Sequence, residues 1–145
     1  MQGVMGLDFS GVVAGLVAGG LAPEQAEVAV GDMSALLDHL ARNPSATLAM
    51  TEAADAALHI VIEDPKLLAQ VSAAMGGVEL YHDANAYGTA AFAEAWQVTR
   101  AAFAEHGVEL VSNYKDAPRG ACKGAAMCAL AARQAAMCAL SLRAA

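Results

Sequence analysis

Residues 58–65 read LHIVIEDP, and their reading decides the fold. As a strand, this run opens a sheet. As a helix, it leaves the chain all-α. The run is short, rich in β-branched residues and ended by a turn signal at Glu63-Asp64-Pro65, which predicts a strand over 58–62. Working downstream, KLLAQVSAAMGG (66–77) predicts a short helix closed by glycine. VELYHD (78–83) is a second short apolar run. AYGTAAFAEAWQVTRAAFAEHG (86–107) predicts a long helix with Phe92, Trp96, Thr99 and Phe103 on one stripe, and VELVS (108–112) follows.

The tetrapeptide GVEL thus occurs at Gly77 and again at Gly107, each time after a glycine-capped helix. A thirty-residue spacing suits one strand–helix repeat of a parallel sheet. The expected order is β(58–62), α(65–75), β(78–82), α(86–105), β(108–112), α(119–143). This is an α/β fold with a small three-stranded parallel sheet and flanking helices, following a helical part over 1–57, all within one domain of 145 residues. The alternative is an all-α bundle, in which each VEL is a helix end or link.

Upstream, APEQAEVAVGDMSALLDHLARN (22–43) is the clearest amphipathic helix. Val30, Met33, Leu37 and Leu40 fall on one stripe, Pro23 suits the first turn, and Pro44 stops the far end. His39 flanks the stripe. Residues 45–57 read as helix without strong periodicity. In GVVAGLVAGG (11–20), Gly11, Gly15 and Gly19 share one helical face, which permits another backbone to lie close. A flexible or partly helical arm is the other reading, since glycine is a poor helix former.

Composition narrows the classes. Alanine supplies 37 of the 145 residues, so the apolar content is mostly small side chains suited to closely packed helices. The opening residues lack a basic leader pattern. The run from Phe9 to Leu21 is too short to cross a bilayer, so no membrane partner is expected. Three cysteines, an odd number, predict a reduced, cytoplasmic protein rather than a disulfide framework. Net charge is −7, unevenly spread. Residues 1–114 hold three cations against 14 acids, and residues 115–145 hold five cations against one. The acidic bulk makes nucleic acid an unsuitable partner.

The C-terminal stretch GACKGAAMCALAARQAAMCALSLRAA (120–145) holds all three cysteines and repeats AAMCAL. On one helix, Cys128 and Cys138 lie ~15 Å apart along the axis, and Cys122 lies ~9 Å before Cys128. A metal needs sulfur ligands within ~2.3 Å of itself. No two of these cysteines can share an ion within that helix, so neither a bound metal nor a cofactor is expected. The four-residue spacing of Gly120, Gly124, Cys128, Ala132 and Ala136 instead forms a strip of small side chains for a close helix contact, within the chain or between copies. Cys122 differs: it sits between Arg119 and Lys123 in the first predicted turn, where a thiolate is favoured.

Loops beyond the strand ends of an open parallel sheet bind ligands. The second such loop offers His82 and Asp83 as an acid–base pair. The third offers Asn113, Lys115, Arg119 and Lys123, leading into a helix N-terminus that favours an anion. The expectation is a small anionic ligand held by Asn113, Lys115, Arg119 and Lys123, with His82, Asp83 and Cys122 as candidate catalytic groups, in a homo-oligomer. The bland reading is that loops after strands are polar and that these cations pair with the acidic body. The order of elements with its GVEL entries also resembles, over residues 58–124, the layout of DsrE/DsrF-like sulfur-relay proteins. That resemblance implies a sulfur carrier near a strand end. Here the third run ends in Ser112 and Asn113, and the nearest cysteine is Cys122. Three classes follow: an anion-binding α/β domain, a structural or assembly protein using its Gly/Ala-rich helix faces, and a sulfur-relay or metal role for the C-terminal cysteines.

Overall fold

The computed structural model describes residues 3–83, 90–107 and 129–134. Helices dominate them. After a single 3-10 turn at Val4–Gly6 come α1 (Ser10–Ala18), α2 (Pro23–Arg42), β1 (Thr47–Ala49), α3 (Glu52–Glu63), α4 (Pro65–Ala74), β2 (Val78–Asp83), α5 (Ala90–Glu105) and β3 (Ala129–Gln134).

The run at 58–62 is helical, which overturns the α/β reading. It forms the second half of α3. The Thr51 hydroxyl caps this helix, accepting from the Ala54 N–H at 3.2 Å. Ala54, Ala57, Leu58 and Val61 are fully buried, a helical i, i+3, i+4, i+7 stripe that starts in alanines before the β-branched run. A five-residue, mostly apolar run cannot by itself separate a strand from a buried helix segment. Here the cap and the alanine lead-in settle it.

No parallel sheet exists among the described residues. Their strands are short and antiparallel, in the order β1-β3-β2. Within it, Leu48 faces Leu130 and Leu80 faces Ala132 in Cα register. The fold is therefore closer to the all-α alternative, with a small antiparallel strip at one side. The expected helix over 119–143 is also corrected, since 129–134 is strand. The expected strand at 108–112 lies outside the described residues. With the parallel order goes the likeness to the sulfur-relay layout.

Residues 45–57, expected as helix, are split: Thr47–Ala49 is strand β1, and α3 begins only at Glu52. Several local expectations hold. Helix α2 starts with Pro23 in its first turn. Met33, Leu37 and Leu40 are fully buried and Val30 is half-buried. Asp64 caps α4 by accepting from the N–H groups of Lys66 and Leu67. The chain leaves α4 through Gly76 and Gly77, at φ +88° and +81°, a left-handed conformation that only glycine adopts without strain. Trp96, Thr99 and Phe103 of the α5 stripe are fully buried.

The core forms where α2 meets α1, α3 and α5. Its largest members are Phe103, Met33, Leu36, Leu37, Leu40, Leu48, Met50 and Leu58. Each removes about 1.5–3 kcal/mol worth of apolar surface from water. Gly15 of α1 faces α3: a Cβ there would lie 3.1 Å from Ile60 Cδ1. This glycine therefore serves contact within the chain. Thr99 joins α5 to β1. Its hydroxyl accepts from the Ala49 N–H and donates to the Ala49 carbonyl, both at 2.8 Å. One buried side chain thus satisfies both backbone groups of a strand residue.

Candidate functional site

The densest polar grouping among the described residues lies where α2 and α5 end together. From the last turns of α2 come Asp38, His39 and Arg42; from the end of α5 come Glu105 and His106. Helical spacing brings Asp38 and Arg42 onto one face, with Arg42 Nε donating to Asp38 Oδ2 at 3.2 Å. Arg42 Nη1 donates across to Glu105 Oε1 at 2.7 Å. This bond raises the Arg42 guanidinium above its ordinary value and pulls the Glu105 carboxyl below its own. His106 Nε2 lies 2.7 Å from Asp38 Oδ2, and its Nδ1 lies 3.0 Å from the Ala102 carbonyl oxygen. His39 meets His106 edge-on, with ring centroids 6.4 Å apart.

Its chemistry is limited by its own bonds. Both ring nitrogens of His106 already contact groups of the protein, Nδ1 the Ala102 carbonyl and Nε2 Asp38. His39 Nδ1 makes no hydrogen bond and sits 3.4 Å from Glu105 Oε2. Among the described residues, no hydroxyl or thiol is hydrogen-bonded to either ring. Among the described residues, no group of three His, Cys, Asp or Glu side chains is arranged to hold a metal ion. The arrangement is a clasp that ties two helix ends together.

A second feature is the outer side of α1. Val12 and Leu16 point inward and are buried, whereas Gly11, Ala14, Val17 and Ala18 are exposed. No charged residue interrupts α1. Val17 is 37% exposed, and Met5 and Val28, in the neighbouring elements, are 57% and 60% exposed. Isolated exposed apolar residues are ordinary; a helix face free of charge is more informative.

The residues singled out from sequence fare differently. His82 and Asp83 lie at the end of β2, their backbones in register with Leu130 and Ala129 of β3. They therefore stand on an antiparallel strand, and not in a loop beyond a parallel sheet. Asn113, Lys115, Arg119, Cys122 and Lys123 lie outside the described residues. So do Gly120, Gly124, Cys128 and Ala136 of the small-residue strip, whose Ala132 is in β3. The α2–α5 clasp was not read from sequence. The Asp38–Arg42 spacing was its one visible sign, and only the packing of α5 supplies the rest. No described helix is long and apolar enough to cross a membrane. Compared with known protein families, with curated proteins and with solved structures, the chain matches none.

Proposed function

We propose that this protein is a small helical assembly module that associates with copies of itself through the outer face of α1. What supports this reading is that face itself: Gly11, Ala14, Val17 and Ala18 are exposed, uncharged and small enough for a partner backbone to come close. Their burial removes apolar surface without stranding a charge. Two copies related by a two-fold axis would present the same patch to each other. The anion-binding reading now rests only on Lys115, Arg119 and Lys123 outside the described residues, because its sheet edge has gone with the parallel sheet.

Light scattering after size exclusion tests the proposal. The unaltered chain should elute with a dimer mass or larger at micromolar concentration. Ala14→Glu combined with Val17→Glu should give a monomer with unchanged helical circular dichroism. A monomer mass for the unaltered chain, or an unchanged oligomer mass for the double variant, refutes it.

A further inference from the structure

His106 follows the last residue of α5, and three partners compete for its two nitrogens. A carbonyl oxygen only accepts, so the contact with Ala102 places a hydrogen on Nδ1. Nε2 then faces Asp38 Oδ2 at 2.7 Å and Arg42 Nη2 at 3.0 Å. A carboxylate only accepts and a guanidinium only donates. Nε2 has a single in-plane position, so it serves one of them at a time. With a proton it donates to Asp38; without one it accepts from Arg42. Asp38 keeps a partner in both states, because Arg42 Nε reaches the same oxygen at 3.2 Å. Arg42 is held in both states by Glu105.

We propose that His106 is a proton-operated switch in the α2–α5 clasp, exchanging Asp38 for Arg42 at Nε2. The protonated ring forms a charge-assisted bond across to α2. It also places positive charge beside the last carbonyls of α5, where the helix dipole favours it. The neutral ring keeps only the weaker bond from Arg42. The charged and titratable groups facing His106 are Asp38, His39 and Arg42 from α2 and Glu105 from α5. Among the described residues β1 also packs on α5; it is Thr47-Leu48-Ala49 and contributes none. His39 lies edge-on to the ring, so charge on one histidine opposes charge on the other.

Long-range nitrogen–proton NMR of the full chain from pH 5 to pH 8.5 tests this. In the unaltered protein, Nδ1 should stay protonated throughout while Nε2 alone loses its proton as pH rises. A neutral His106 carrying its hydrogen on Nε2 refutes the switch. Two variants at the clasp's surface give a second reading. Arg42→Met removes the donor to the neutral ring and should move the titration of His106 to higher pH. Asp38→Asn removes the acceptor for the protonated ring and should move it to lower pH. No movement, or movement of both in one direction, overturns the proposal; nearby charge alone would also shift the titration, so the tautomer read by NMR is what separates partner exchange from it.

Discussion

Asp32 offers the sharpest test of the packing around α2. It sits half-buried in the middle of the helix, and its neighbours one turn away include Ala29, Ala35 and Leu36, all buried. No cation stands beside it among the described residues. Burial alone therefore pushes its carboxyl up from 3.8 to about 6. An acid with a raised folded-state value contributes its full stability below the unfolded value and loses it as pH rises through the folded one. Relative to an uncharged side chain, the protein should weaken between about pH 4 and pH 6 and then level off. At about 1.4 kcal/mol per pH unit the full interval is worth ~3 kcal/mol. Asp32 is still partly in water, and solvent screening brings the expectation down to about 1–2 kcal/mol. Asp32→Asn keeps the shape and removes the charge. Urea unfolding of both proteins at pH 4, 5, 6, 7 and 8 should show near-equal stability at pH 4. The variant should be more stable by about 1–2 kcal/mol at pH 7 and above. Equal stability at pH 8, or the same difference at pH 4 as at pH 8, would refute the reasoning.

Thr99→Val should cost about 2–4 kcal/mol in urea unfolding, since it strands the buried N–H and carbonyl of Ala49; Thr99→Ser should restore most of the loss. Gly31→Ala, with open space at the new Cβ, should raise stability by about 1 kcal/mol through helix propensity. Gly15→Ala should gain less, because Ile60 must move aside, and an equal gain in thermal unfolding would show that this α1–α3 contact is loose. Leu37→Ala, at a fully buried position, should lower stability by about 2–5 kcal/mol, and a loss below about 1 kcal/mol in the same assay would contradict its place in the core.

Much of the helical framework was already written in the sequence. Pro23 and the Met33–Leu37–Leu40 stripe marked α2, Asp64-Pro65 and Gly76-Gly77 bracketed α4, and Trp96, Thr99 and Phe103 gave the inward side of α5. These signals are local: a cap, a stop and a strong 3.6-residue period need no partner to be recognised. The α3 stripe was also present, but it begins with Ala54 and Ala57, whose small side chains barely raise the apolar signal, so the β-branched residues behind them dominated. The strand at Val78–Asp83 was legible, whereas its direction was not. Strand pairing joins residues far apart in the chain, and β2 takes β3 as an antiparallel neighbour through contacts that a repeated GVEL cannot encode. The clasp has the same origin. Asp38 and Arg42 lie one helical turn apart and Glu105 and His106 are adjacent, but the two pairs are more than sixty residues from each other. Only the docking of α5 on α2 brings them within hydrogen-bonding distance, because that docking is decided by the shape of the buried faces and not by the charged residues at their ends.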